Sequence, residues 1–323
     1  MHAYLCVGMN KYSTSPVRAA HSDFLSAAQL GREELFALIG LSRELRSKNM
    51  FAQVLQGKSV AMIFEKPSLR TRVTFEVAIR QLGGWPVMLG AAESRLGERE
   101  PIQDLARNLS CWVDAIVARV FEHDDLENLA LFASVPVING LSDFEHPCQV
   151  LADLLTLSDA WTTFSGKELV YIGDWNNVSR SLSQVCLVAG LKFRAICPEK
   201  YGPSKEERVE WSANPADVKG ADAIYTDVWA SMGQEDELPE RIEIFRSYQV
   251  NEKLMAKTGK PTLFMHCLPA HRGQEVTDSV IESDCSVVFR QAANRLPVEK
   301  AILVTFVGVG AGGDGPTKDG EQL

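Results

Sequence analysis

From about Ser59 onward, short runs of Val, Ile and other apolar residues alternate with longer stretches whose apolar positions recur every three or four residues. Unbroken apolar runs suit strands buried on both faces, and the longer period suits helices laid over them, so the pattern predicts βα repeats and parallel sheets. One series of strands is expected at Ser59–Phe64, Pro86–Leu89, Ala115–Arg119 and Pro136–Ile138. A second is expected at Glu168–Ile172, Phe193–Cys197, Ala223–Thr226, Thr262–Met265 and Ser286–Phe289. Between the two lies 147–157, where Val150, Leu151, Leu154 and Leu155 fall on one helical face ahead of the turn-prone Ser165-Gly166-Lys167. The pattern therefore predicts an α/β chain of two domains, each with a central parallel sheet flanked by helices, divided near residue 155 into 1–155 and 156–290. A last helix within 291–308 carries the apolar run Val298–Val307, and the polar, Gly-rich 309–323 is expected to be a disordered tail.

Length agrees with this division, since 323 residues at roughly 150 per domain give about two. Acidic residues outnumber basic ones by 42 to 33 for a net charge of -9, which repels polyphosphate and argues against a nucleic-acid partner. The seven cysteines never form a C-x-x-C pair, so neither a disulfide framework nor a zinc ribbon is expected. No apolar run approaches the ~18 residues that span a bilayer, and no signal peptide opens the chain, so a cytoplasmic protein without a membrane partner is expected.

Two glycine patterns invite a nucleotide reading and fail it. Gly308-Val-Gly-Ala-Gly-Gly313 has the letters of G-x-G-x-x-G, but that fingerprint needs a following helix and an acidic residue about 20 positions on. Only a short stretch follows, and it contains Pro316. Gly57-Lys58-Ser59 resembles the end of a P-loop, yet the strand follows the motif instead of preceding it, so a turn entering a strand is expected.

Ser68-Leu69-Arg70-Thr71-Arg72 stands where the first strand ends and a helix begins, with Phe75, Ala78, Ile79 and Leu82 as the buried stripe. Free N–H groups and the positive end of the helix dipole favour an anion there; Ser68 and Thr71 add hydroxyls and Arg70 a bidentate fork. Arg119 ends another strand of the same series, and His146-Pro-Cys-Gln149 opens the helix at the boundary. A cation, an imidazole and an amide beside a phosphate site suit a carbonyl joined to that phosphate. In the second series, Asp174-Trp-Asn-Asn177, Asp227-Val-Trp-Ala-Ser-Met-Gly233 and His266-Cys-Leu-Pro-Ala-His-Arg-Gly273 all follow strands and form a second half-site. A metal held by His266, Cys267 and His271 is not expected, because Pro269 breaks any shared helical face.

Taken together, Ser68-x-Arg70-Thr71-Arg72, His146-Pro-x-Gln149, Asp227-x-x-x-Ser231-Met232-Gly233 and His266-Cys267-Leu268-Pro269 resemble the aspartate/ornithine transcarbamylase family, in its ornithine branch. The resemblance runs from about Phe24 to Val307. It implies transfer of the carbamoyl group of carbamoyl phosphate to the δ-amine of L-ornithine, giving L-citrulline and phosphate within arginine metabolism. Carried over residue by residue, it implies that Ser68, Leu69, Arg70 and Thr71 hold the phosphate, that Arg119, His146 and Gln149 grip the carbamoyl group, and that Cys267 and Leu268 border it. Arg295 is implied to reach the same ligand from a last helix that crosses back to the first domain. Asn177, Asp227, Ser231 and Met232 are implied to hold ornithine, with Cys267 and Asp227 near the reacting amine. The resemblance also implies a homo-oligomer, a trimer or a multiple of trimers, and no cofactor.

Two positions depart from the ornithine branch. Leu69 stands where Thr is usual, as in the N-acetyl- or N-succinylornithine branch, and Trp175 stands where Gly is usual, its ring expected to pack between loops. Acylated ornithine is therefore the alternative acceptor. The alternative of another class is a silent binding or regulatory homologue, against which stands the complete donor set.

Overall fold

The computed structural model describes residues 23–47, 53–90, 95–230 and 234–308. Four parallel strands form the first sheet in the order β2-β1-β3-β4, with β1 at Ser59–Phe64, β2 at Trp85–Leu89, β3 at Ala115–Arg119 and β4 at Val137–Leu141. The central strand β1 is buried on both faces for the reason its sequence suggests. Val60 and Met62 join the apolar cluster that holds Leu35, Phe75 and Leu154, while Ala61 and Ile63 point the other way onto Ala106 and Leu126. The covering helices are α1 (Arg32–Ser47), α2 (Arg70–Gln81), α3 (Ile102–Ser110), α4 (His123–Phe132) and α5 (Pro147–Ala160).

The second sheet, also parallel, runs β7-β6-β5-β8-β9, with β5 at Glu168–Ile172, β6 at Lys192–Ile196, β7 at Trp211–Ser212, β8 at Ala223–Thr226 and β9 at Leu263–His266. Its helices are α6 (Asn177–Ala189), α7 (Leu238–Phe245), α8 (Glu252–Ala256) and α9 (Asp278–Ile281). Asn176 caps α6, accepting from the N–H groups of Val178 and Ser179, and Gly190 ends it with φ 73°. The apolar cluster around Leu154 continues through Tyr171, Leu182, Tyr225 and Met265, so the sheets share one core across α5.

One expected strand is absent. At Ser286–Phe289 only Ser286 makes a bridge, to Phe264, and the chain turns helical at Val288. Three apolar residues in a row, Val287–Phe289, fit either element, but Gln291, Asn294, Arg295 and Val298 continue the run at helical spacing. All four are buried on one face. This helix, α10 (Val288–Leu303), packs on α1, α2 and α5 of the first domain, and Lys58 donates from Nζ to the Val307 carbonyl at 2.6 Å. Gly57, with φ 79°, is the turn residue before β1. The tail 309–323 lies outside the described residues.

Candidate active site

Both sheets end on one cleft of about 1000 Å³, placed at the carboxyl ends of their strands as the doubly wound architecture favours. Its first wall begins where β1 hands over to α2. Leu69 is the N-cap of α2, with no side-chain cap bond and a side chain 73% exposed, so the helix start presents its N–H groups to the cleft beside Ser68. Thr71 is buried and accepts from Arg295 Nη2 at 3.0 Å.

Three guanidinium groups line this wall: Arg70 at the start of α2, Arg119 at the end of β3, and Arg295 from α10. Arg295 is anchored on every side. It donates to Gln149 Oε1 at 2.8 Å and to Glu299 Oε1 from both Nε and Nη2, and although burial opposes its charge, Glu299 more than compensates and its pKa is raised. Glu299 has a pKa of about 7, raised by complete burial against the pull of Arg295. Arg119 is the least compensated of the three. Burial, then Arg295 and Arg70, bring its pKa down to about 10, and its buried Nε has no hydrogen-bond partner. His146 is buried beside them with Nδ1 also unpartnered; burial, Arg295 and Arg119 hold its pKa well below the usual histidine value, so the ring is neutral at pH 7. Cations gathered in a low-dielectric wall raise each other's energy, and an anion that enters relieves it.

The orientation of Gln149 is fixed from behind. Its Nε2 donates to Asp153 Oδ1 at 2.8 Å, and Asp153 also accepts from Gln291 Nε2 and from Tyr225 OH. Burial raises the pKa of Asp153 to about 6, with these hydrogen bonds opposing it. Asp153 and Glu299 did not stand out from the sequence, although each lies four residues beyond a site residue on the same helix, Gln149 and Arg295. Lys66 was also missed. It lines the cleft two residues before Ser68, with Nζ 4.6 Å from the Phe121 ring centre, and burial with Arg119 lowers its pKa.

The second wall comes from three loops of the other sheet. After β8, Asp227 accepts from its neighbour Val228 N, from Asn176 Nδ2 at 2.9 Å and from Cys267 Sγ at 3.0 Å. Burial and Asp227 push the Cys267 pKa well up, so it is a thiol. After β9, Leu268 takes φ 57° and donates its N–H to His266 Nδ1, which turns the chain out of the sheet beside Cys267. After β5, Asp174 pairs with Arg241 of α7 at 3.0 Å, and burial lifts its pKa to about 7 against that pairing. Asn177, at the start of α6, donates to the Ser142 carbonyl at 2.6 Å and so ties this wall to the β4–α5 loop. Trp175 packs edge-on against Phe193 of strand β6, and also lines the cleft. Ser231 and Met232 lie outside the described residues.

Every other site residue expected from the sequence faces this cleft: Ser68, Leu69, Arg70, Thr71, Arg119, His146, Gln149, Asn177, Asp227, Cys267, Leu268 and Arg295. Among the described residues, Asp227, His266 and Cys267 bring one potential metal-ligand atom each within 4.8 Å of the others. Those groups are engaged in the hydrogen bonds just given, and His271 is not among them.

An anion wall of arginines faces a polar wall across two parallel sheets, which defines a two-substrate transferase cleft. The carbamoyl-phosphate-binding domain of the aspartate/ornithine carbamoyltransferases matches residues 22–159, and their Asp/Orn-binding domain matches residues 165–306. The chain belongs to the aspartate/ornithine carbamoyltransferase family. It is 47% identical over 314 residues to an ornithine carbamoyltransferase of Thermococcus kodakarensis, covering 90% of this chain and 98% of that one. It is 46% identical to an anabolic ornithine carbamoyltransferase of Pyrococcus furiosus over the same shares of the two chains. The solved ornithine carbamoyltransferase of Pyrococcus furiosus superimposes with a TM-score of 0.87 at 45% identity, covering 91% of this chain and 99% of that chain.

Proposed function

We propose that this protein transfers the carbamoyl group of carbamoyl phosphate to the δ-amine of L-ornithine, giving L-citrulline and phosphate. The observation that carries this reading is the convergence of Arg70, Arg119 and Arg295 with neutral His146 on one wall, where Arg119 Nε and His146 Nδ1 are buried without partners. The phosphate lies against Ser68, the Leu69–Arg70 backbone, Arg70 and Thr71. Arg119, His146 and Gln149 hold the carbamoyl oxygen and amide, and Arg295 spans phosphate and carbamoyl group. Ornithine enters opposite, along Asn177, Asp227, Ser231 and Met232, with Asp227 and Cys267 beside its δ-nitrogen.

The neutral amine attacks the planar carbonyl carbon, a C–N bond forms, and negative charge builds on the carbonyl oxygen. Arg119, Thr71 and His146 donate to that oxygen. The C–O bond to phosphate then breaks, and the leaving phosphate accepts the amine proton while Arg70 and Arg295 neutralise its charge. Holding the two reactants in register across the cleft supplies part of the rate, on the order of 7–11 kcal/mol for well-oriented partners.

The similarity to an anabolic relative supports a role in arginine biosynthesis. No helix among the described residues is long and apolar enough to cross a membrane, which is compatible with the cytoplasmic site we propose. Val73 on α2, and Trp85 and Val87 on β2, the edge strand of the first sheet, are exposed apolar side chains. Exposed apolar groups at a sheet edge favour association with copies of the chain, and we propose a homotrimer or a multiple of one.

A colorimetric citrulline assay with carbamoyl phosphate tests the reading against ornithine, N-acetylornithine, putrescine and aspartate. Citrulline from ornithine is expected to dominate. Product from the acetylated amine alone, or from none of the four, would overturn it. Light scattering at micromolar concentration should give a multiple of three chains, and a monomer would count against the assembly.

A further inference from the structure

We infer that Trp175 is a specificity-determining wall of the acceptor half, held upright by the Glu207–Arg180 pair, and that it excludes acceptors carrying a bulky group at the end remote from the transferred carbamoyl. This rests on the carbamoyltransferase reading above and adds to it the part of the substrate that the site measures.

The ring is fixed at three points. Its backbone N–H donates to the Tyr201 carbonyl at 3.0 Å, its indole Nε1 donates to Glu207 Oε1 at 2.8 Å, and its edge meets Phe193 with ring centres 6.2 Å apart. Glu207 is itself immobilised. Its second oxygen caps the Ser204 N–H at 2.8 Å, while Oε1 also accepts from Arg180 Nε at 2.8 Å. The Arg180 guanidinium then lies 4.2 Å over the Phe144 ring and donates to the Phe144 carbonyl at 3.3 Å. A continuous chain of contacts, Phe193–Trp175–Glu207–Arg180–Phe144, thus links the second domain to the β4–α5 loop of the first. Trp175, Arg180 and Phe144 all face the cleft.

In the reading above, Asp227 and Cys267 meet the δ-nitrogen of the acceptor and Asn177 its remote end. Trp175 lines the same cleft two residues before Asn177, so it is the remote end that meets its ring. A flexible side chain there could yield to a larger substrate. A ring with its N–H bonded and its edge packed cannot turn aside without losing both contacts. Hydrophobic walls of this kind discriminate between substrates by about 10- to 200-fold.

The experiment compares kcat/KM for ornithine and N-acetylornithine in the full-length protein and in Trp175→Gly, Trp175→Phe and Glu207→Ala. Trp175→Gly is expected to shift the ratio toward N-acetylornithine by about tenfold or more, with KM for carbamoyl phosphate little changed. Trp175→Phe keeps the ring and its preference for ornithine. Glu207→Ala frees the ring and shifts the ratio in the same direction by less, which also covers the case of a glycine variant that folds poorly. An unchanged ratio in both Trp175→Gly and Glu207→Ala would refute the wall while leaving the activity standing. Wild-type protein that makes no citrulline from ornithine would refute the activity, and the wall with it.

Discussion

Replacing Arg119 with Met should make the empty protein more stable and the liganded protein less so. Arg119 is 8% exposed, ends β3, and carries a pKa of about 10. A guanidinium held that far below its ordinary value is charged at pH 7 at a cost, and at 1.36 kcal/mol per tenfold change the cost is about 3 kcal/mol. The sign follows from the direction. The unfolded chain binds this proton more tightly than the native one, so the native state carries the penalty wherever both forms are charged, that is, below about pH 10. Methionine has a similar length and no charge, so it removes the penalty and keeps most of the packing. Urea unfolding without ligand should give a gain of about 1–3 kcal/mol, the lower end allowing for imperfect packing of the new side chain. Carbamoyl phosphate, whose carbonyl oxygen Arg119 holds, should stabilise the wild type by about 2.7 kcal/mol at a hundred times its Kd and the variant much less at the same concentration. A variant less stable than the wild type when empty, or equally protected by carbamoyl phosphate, would falsify the idea that this wall is strained by its own cations.

Arg70→Ala should abolish turnover with little change in the unfolding midpoint, as measured by initial rates and urea titration, because a guanidinium at a helix start contributes to anion binding more than to the core. A bisubstrate analogue such as N-phosphonacetyl-ornithine should bind far more tightly than either substrate and shield Cys267 from thiol reagents; unchanged labelling would place the acceptor elsewhere. Labelling of the free protein should be slow at pH 8, since the Cys267 pKa is raised by burial and Asp227 and the reactive thiolate is scarce. The rate of citrulline formation at low ornithine should climb with pH between 6 and 8, by about tenfold per pH unit, because the attacking amine resembles a lysine with a pKa near 10.4. A flat profile would mean that amine deprotonation does not limit the reaction.

The frame of the molecule was readable because its strands are short apolar runs with no competing pattern. β1, β3, β5 and β8 begin and end where the sequence places them. The run at Ser286–Phe289 misled because its three apolar residues carry no period, and β7, only two residues long, carries none either. In the site, the residues at strand and helix ends were legible, since a polar residue just after a buried strand has nowhere to go but the cleft. Lys66 was not, because a lysine is normally taken as solvated; here it is buried with its Nζ over the ring of Phe121. The pairing of Asp174 with Arg241 was invisible for another reason, as it joins the loop after β5 to helix α7, far apart in the chain.

The last helix has a consequence for how this chain is made. Val298, Ala301, Ile302 and Leu303 belong to the same apolar cluster as Leu35 and Phe75, so the first domain's interior is completed by residues from the far end of the chain. The second sheet draws all its strands from one continuous stretch, 168–266. On a ribosome that releases residues in order, the stretch that emerges first therefore waits with α1, α2 and α5 uncovered until α10 appears, by which time every strand of the second sheet has already been released. A premature stop shortly before Val288 would leave those helix faces bare and would also remove Arg295, so truncated chains would be unfinished folding units as well as inactive enzymes, with apolar surface for chaperones and proteases to seize.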